Sequence, residues 1–340
     1  MPSLIKTIAD DLQVSTASVS RALNDQPGVS DGLRTRILRR AGELNYTPST
    51  AARGLATAQA FAVGFFVRQK PDLSAYTDPF YGEILHGAER ALSQSDYHLT
   101  VANLTDDILN NPTQFRFVRE RRIDAMLLAG PDIPSDFVLS MIQSGLPVVL
   151  IDNLLDYSAA HAVNCDDEGG AYLAAQHLIA QGHQRIGLLC GPLHWASNRR
   201  RMEGYQRAMA EAGLTLTTVY AEQTTIESGQ RAFADLIEHL PNVTAIGTVN
   251  DSMALGAIRA AQASGRRVPG DLSVIGFDNI AWASLNNPPL TTLDVPKQQM
   301  GIEAARRLLS LLTEADTAPL STQLTIAVKL IVRASTAAAP

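Results

Sequence analysis

The sequence predicts an all-α helix-turn-helix headpiece followed by a two-lobed α/β body. Residues 5–24 place apolar side chains at helical spacing on two short segments around a tight turn. From residue 61 onward, continuous apolar runs alternate with amphipathic stretches over about 270 residues, the pattern of repeated βαβ units. Between the two parts lies an Ala-rich stretch, 49–58, interrupted by Gly54.

In the first segment Ile5, Ile8 and Leu12 share one face. Val14 occupies the turn, and Ser15 offers a side-chain oxygen to cap the second helix. On that helix Val19, Ala22 and Leu23 point inward, while Thr16, Ala17, Ser20 and Arg21 form the outer face. A short helix with a packed inner face and a small, polar, Arg-bearing outer face fits a DNA major groove. An ordinary amphipathic helix pair shows the same pattern, so this stretch alone leaves both readings open. After the turn Asp25-Gln26-Pro27-Gly28, Ser30 can cap a third helix with the apolar stripe Leu33, Ile37, Ala41 and Leu44. Arg34, Arg36, Arg39 and Arg40 fall on its exposed side, and it ends at Asn45-Tyr46-Thr47-Pro48.

A helix as short as 49–58 is unstable alone, and its internal Gly54 costs it about 1 kcal/mol more. This segment is expected to be helical only when something holds it. In the body, strands are expected over 62–67, 99–103, 125–129, 147–151, 185–190, 245–249 and 273–277. Several are apolar throughout, as suits parallel strands buried on both faces. Helices are expected over 80–95, 136–144, 168–181, 198–212, 228–239 and 252–264. Ligands of such folds sit at the carboxyl ends of the strands. The expected divisions are 1–47 for the headpiece, 48–59 for a hinge helix or linker, and 60–340 for the body. One lobe is expected over about 60–160 and 292–322, the other over about 161–291 and 323–335.

At 340 residues, with 46% hydrophobic and 18% charged, the chain has ordinary globular composition. It has no run of 18 apolar residues and no signal-peptide core, so a cytoplasmic protein is expected, nucleoid-associated when on DNA. Cys165 and Cys190 stand outside any zinc or C-x-x-C spacing and read as free thiols. The net charge of −6 argues against a generally basic, nucleic-acid-coating protein. Its distribution is uneven: residues 1–58 carry seven basic and five acidic side chains, the remainder 21 and 29. A mildly basic head on an acidic body fits one polyanion-facing domain attached to something else.

Catalytic signatures are missing. No G-x-G, P-loop, G-x-S-x-G or H-E-x-x-H occurs, and the seven histidines show no metal-ligand spacing. Asp166, Asp167 and Glu168 suggest paired carboxylates, but they fit better as the acidic first turn of a helix. No enzyme activity, cofactor or metal is expected.

The whole chain resembles the LacI/GalR family of bacterial transcription repressors. The N-terminal signature is Thr7-Ile8-Ala9, Val14-Ser15, Ser18-Val19-Ser20-Arg21-Ala22-Leu23-Asn24, Val29-Ser30, Leu44-Asn45-Tyr46-Thr47-Pro48 and Ala52-Arg53-Gly54-Leu55. In the body it continues through Gly182-His183, Gly191-Pro192, Asn250-Asp251-Ser252-Met253-Ala254-Leu255-Gly256, Val268-Pro269, Val274-Ile275-Gly276-Phe277-Asp278 and Pro288-Pro289-Leu290-Thr291-Thr292. Two departures stand out. Gln13 replaces the family's turn glycine, where a left-handed residue other than glycine costs about 1–2 kcal/mol, so a reshaped turn is expected. Thr7 stands where the family often has Asp.

The resemblance implies a periplasmic-binding-protein-like (type I) effector domain behind a DNA-binding headpiece. It assigns Thr16, Ala17 and Arg21 to base reading, and Ser20 and Arg34 are then better placed for phosphate contacts. Arg53 and Leu55 fall in the hinge, with Leu55 as a wedge into the minor groove of pseudo-palindromic operator DNA. The implied effector contacts are Phe80, Tyr81, Asp152, Arg199, Asn250 and Asp278, with Trp195 and Trp282 on cleft loops. Phe80 and Tyr81 suit a lobe core as well, and the two tryptophans suit plain surface or lid roles. Carboxylates, an amide and a guanidinium together suit a polyhydroxyl ligand, so a small sugar is the expected effector. A purine, nucleoside or sugar phosphate is the alternative, and a plain solute-binding protein of a transport system a further one. The tail after Arg333 has no heptad pattern, which predicts a homodimer and not a coiled-coil tetramer; without a long apolar run, no membrane partner is expected.

Overall fold

The computed structural model describes residues 4–46, 59–70, 75–155, 160–313 and 321–340. They fall into two compact units that divide between Phe61 and Ala62.

The first unit holds three helices, α1 (Leu4–Leu12), α2 (Thr16–Leu23) and α3 (Asp31–Glu43). The Ser15 Oγ accepts the Ser18 N–H at 3.0 Å, so the expected cap of α2 is formed. Ile8, Val19 and Ile37, one from each helix and each fully buried, meet at the centre with Ala9, Ala22 and Ala41 around them. Burying each large member of that trio contributes about 1.5–3 kcal/mol. The α1–α2 turn is not reshaped. Gln13 takes the left-handed conformation itself, at φ 54°, and the Val14 N–H reaches the Ala9 carbonyl at 3.0 Å. The turn keeps the geometry a glycine would give it, and Gln13 bears the strain. The hinge stretch with Arg53 and Leu55 lies outside the described residues.

The body carries a six-stranded parallel sheet built from β1 (Ala62–Arg68), β2 (His98–Leu104), β3 (Ala125–Ala129), β4 (Val148–Ile151), β5 (His161–Cys165) and β11 (Gln323–Ile326). Its strand order is β2-β1-β3-β4-β5-β11. A second parallel sheet orders β7 (Thr217–Tyr220), β6 (Ile186–Cys190), β8 (Ala245–Thr248) and β9 (Ser273–Ile275). A short antiparallel pair joins β10 (Thr292–Asp294) to β12 (Lys329–Ile331). The winding direction reverses between β1 and β3 in the first sheet and between β6 and β8 in the second, the positions where such sheets bind ligands.

The sequence reading placed 161–165 and 323–326 in the second lobe, but both strands pair within the first sheet. β5 mixes polar with apolar residues, and β11 is an edge strand with three of its four residues exposed, so neither shows the continuous apolar run of a central strand. The helix Lys297–Thr313 was also not anticipated. Its internal Gly301 weakens it as an isolated helix. In the fold that glycine is required, because a Cβ there would collide with the backbone at Ile84, on the helix Tyr81–Leu92 packed against it.

Candidate functional site

On the headpiece, Thr16, Ala17 and Arg21 stand exposed on the outer face of α2. Ser20 is half-buried, and its Oγ lies 3.4 Å from the donating amide of Asn24. Arg34 has partners other than the expected phosphate. Its Nη1 donates to the Ala22 carbonyl at 3.2 Å and its Nη2 to the Gln26 carbonyl at 2.8 Å. An ion pair to Asp25 at 2.7 Å completes a clamp on the carboxyl end of α2, where helix carbonyls lack partners. Arg40 similarly ties α3 to α1, donating to the Asp11 carboxylate from Nε at 2.9 Å and Nη2 at 2.7 Å. Two of the four arginines expected to face solvent are therefore internal braces.

In the body, the helix Ala196–Glu211 buries Ser197, Asn198, Arg201, Gly204, Tyr205, Ala208 and Met209. That spacing is a helical stripe, and it carries Arg201 inward at 5% exposure. The Arg201 guanidinium lies 3.8 Å over the Phe277 ring. Its Nε donates to Asp167 Oδ1 at 2.8 Å, and its Nη1 donates to the Val249 carbonyl and to Asp278 Oδ1, the latter at 3.3 Å. Among the described residues Nη2 has no hydrogen-bond partner. Arg199, the arginine assigned to the effector, is on the same helix but off this stripe and only half-buried.

Asp152 follows β4, in left-handed backbone at φ 52°, and its Oδ2 accepts the Tyr81 hydroxyl at 2.8 Å. Burial pushes its carboxyl up to about 7, against the pull of Arg201. Asp278 follows β9 at φ 111°, and burial pushes it also to about 7, opposed by Arg201 and reinforced by the neighbouring Asp251. Burial and the Asp152 charge together hold the Tyr81 hydroxyl well above the usual phenol range. The buried Lys297 Nζ donates to the carbonyls of Asp278 at 2.7 Å and Asn279 at 3.1 Å, which fixes the strained loop.

The other assigned residues are placed differently. Asn250 is occupied with structure: its Oδ1 accepts the Met253 N–H at 2.9 Å as a helix cap, and its Nδ2 donates to the Thr224 carbonyl at 3.0 Å. Phe80 is buried and meets the Tyr81 ring edge-on at 5.1 Å. Trp195 is half-buried beside His194, and Trp282 is 40% exposed on the short helix Ala281–Leu285.

Sequence reasoning missed Arg201, its partner Asp167, and a second polar group at the β1–β3 switch point. There Lys70 pairs with the buried Asp78 at 2.9 Å and lies over the Tyr81 ring. These residues, with Val67, Arg68, Ala129 and Asp132, enclose a cavity of about 10 Å³, room for one water. The helical stripe through Ser197, Arg201 and Tyr205 was the available signal for Arg201. Asp167 was seen only as part of an acidic first turn, which it also is. Among the described residues, no group of His, Cys, Asp and Glu is arranged to hold a metal ion.

Residues 60–334 match the family model of periplasmic binding proteins and the sugar binding domain of the LacI family, and residues 4–49 match that of bacterial regulatory proteins of the lacI family. The chain is 33% identical over 308 residues to the HTH-type transcriptional repressor PurR of Photobacterium profundum, across 90% of each protein. Among solved structures, it is similar to the transcriptional regulator CelR in complex with cellobiose, at 29% identity and a TM-score of 0.75, covering 98% of this chain and 100% of that one. It is also similar to the lac repressor dimer bound to operator and the anti-inducer ONPF, at 26% identity and a TM-score of 0.79, covering 97% and 98%.

Proposed function

Because the chain belongs to the lacI family of bacterial regulatory proteins, DNA-binding regulators of transcription, we propose that it is a homodimeric repressor of a carbohydrate-utilisation operon. A small sugar or glycoside held between the lobes of the body controls it. The observation that carries the effector class is the set Asp152, Asp278 and Arg201, two buried carboxylates and a buried guanidinium at strand carboxyl ends. Each has hydrogen-bonding capacity beyond its protein partners, and together they suit the paired donors and acceptors of vicinal hydroxyls. The relative seen with cellobiose and the sugar-binding family model agree with this.

On DNA, Arg21 forks onto a guanine edge in the major groove while Thr16 and Ala17 meet neighbouring bases. Arg53 and Leu55 serve the hinge, with Leu55 opening the minor groove. The dimer seen for the lac repressor supplies two such heads for a pseudo-palindromic operator. Effector binding shifts the lobes toward one arrangement, and only a difference in affinity between the arrangements couples it to DNA. A regulator of this kind works where the bacterial chromosome lies, in the cytoplasm. Its family consists of regulators, which supports a role without catalysis.

A purine effector is the second reading, favoured by the PurR relative and by the aromatic pair Phe80 and Tyr81. Both rings are buried and meet edge-on, which gives a base little open face to stack on. Calorimetric titration of the purified protein with neutral mono- and disaccharides, sugar phosphates and purines separates the readings. Saturable heat from a neutral sugar supports the first. Heat from a purine or sugar phosphate alone overturns the effector assignment and leaves the DNA role standing.

A further inference from the structure

We propose that residues 116–122 of the body form a second DNA site, which grips the phosphodiester backbone beside the operator. The segment reads Arg116-Phe117-Val118-Arg119-Glu120-Arg121-Arg122, four arginines against one glutamate. It stands on a body that is otherwise acidic, with 17 basic and 28 acidic residues in the rest of 59–340. Glu120 is gripped by Arg116 at 3.0 Å and Arg122 at 2.5 Å, and those bonds hold its carboxyl below the usual range. The segment therefore keeps a net positive charge. Arg116 and Arg119 have side chains 65% and 54% exposed, and Arg121 is exposed as well.

The platform beneath these arginines is fixed. Phe115 and Phe117 stand edge-on to the fully buried Phe66 of β1, with ring centroids 5.0 and 5.2 Å away. Guanidinium forks held in place match phosphate oxygens at a smaller entropic cost than mobile side chains do.

Position identifies the partner. The segment runs directly into β3, so it lies at the amino ends of the first sheet's strands, away from the effector residues at the carboxyl ends. Its turn is bonded to the first residue of β1: the Asp124 N–H donates to the Ala62 carbonyl at 2.8 Å, and Asp124 Oδ2 accepts the Ala62 N–H at 3.2 Å. Ala62 is where the chain comes in from the hinge stretch and the DNA-reading headpiece. The arginines thus sit at the end of the body where the chain enters from the headpiece, and phosphates flanking the operator are the anion we assign to them. Asp96 and Asp124, both beside Tyr97, are acidic neighbours at that end, and Asp124 is turned to the Ala62 backbone.

The test uses the full chain and a duplex selected from a random-sequence library. The duplex is made once as the selected core and once extended on each side by about one helical turn, ~10 bp. The native protein should bind the extended duplex several-fold more tightly than the core, with a steeper salt dependence. The variant Arg119→Gln/Arg121→Gly should lose that gain and keep its affinity for the core. Its log–log salt slope on the extended duplex should fall by about 0.9 for each arginine that engages a phosphate. Arg121 is left-handed at φ 50°, so glycine suits the position, and an unchanged or higher Tm shows the variant folded. Glu120→Gln should strengthen binding to the extended duplex alone. Equal affinity of the native protein for the two duplexes overturns the proposal, as does a gain from the flanks that survives in the double variant.

Discussion

The headpiece and the body handle charge in opposite ways. In the headpiece, Arg21 is exposed, and even Arg40 and Asp11, which brace α3 to α1, stay about one-third exposed, at 33% and 37% in their side chains. In the body, Arg201 and Asp167 are 6% and 5% exposed in their side chains, with Asp278 at 11%. A charge in water is screened and contributes little to stability, but it is free to meet DNA. A buried charge must be matched by partners built into the fold, and removing one partner strands the others. The same residue type is therefore left exposed in one unit and organises a buried cluster in the other.

The strongest way to break this contrast is Arg201→Met. It leaves Asp167 and Asp278 without their cation, and the body should lose about 3–5 kcal/mol. Urea titration followed by the fluorescence of Trp195 and Trp282, both in the body, reads the loss. An unchanged midpoint would mean that the cluster does not behave as a buried network. Next comes the pH dependence. The Asp152 carboxyl is raised to about 7 in the folded chain, above its unfolded value of about 4. The native state therefore holds the extra proton between those values. Stability from this group is full below pH ~4, falls as pH rises through ~7, and is flat above. Asp152→Asn should flatten that fall, and a slope identical in the variant would assign it to other groups.

On the headpiece the effects are smaller and appear on DNA. Arg21→Ala should weaken operator binding by about 1–3 kcal/mol and leave effector affinity alone. Undiminished operator binding would remove Arg21 from the reading surface. Arg34→Ala should lower the thermal stability of the headpiece by about 1–2 kcal/mol through loss of its carbonyl clamp. If instead the salt slope of DNA binding drops by about 0.9 with stability intact, Arg34 is a phosphate contact after all. The mildest change, Gln13→Gly, should stabilise the headpiece by about 1 kcal/mol by relieving the left-handed turn, as circular dichroism melting would show.

Legibility followed the same divide. Ile8, Val19 and Ile37 were readable as a core because each repeats within its own short helix, and Ser15 because a cap acts over three residues. Thr16, Ala17 and Arg21 were readable as the outer face by the same periodicity. In the body, Asp152 and Asp278 were readable as strand-end carboxylates because each closes an apolar run. Arg201 was passed over for Arg199, two positions away, although the buried stripe through Ser197 and Tyr205 marks the former. Asn250 reads as a ligand contact because an amide at a strand end suits one, and the helix Asp251–Ala263 also uses it as a cap, which the sequence reading did not anticipate.

The sequence by itself determined the local elements, the order of head and body, and the family, because helix periodicity, caps and apolar strands act over a few residues. Tertiary structure alone decided that Arg34 clamps α2, that β5 and β11 join the first sheet, and that Gly301 lies against Ile84. It also decided which arginine is buried with Asp167 and Asp278, residues 34 and 77 positions away along the chain. Pairing of buried charge depends on distance in space and on exclusion of water, and neither is a property of neighbouring residues.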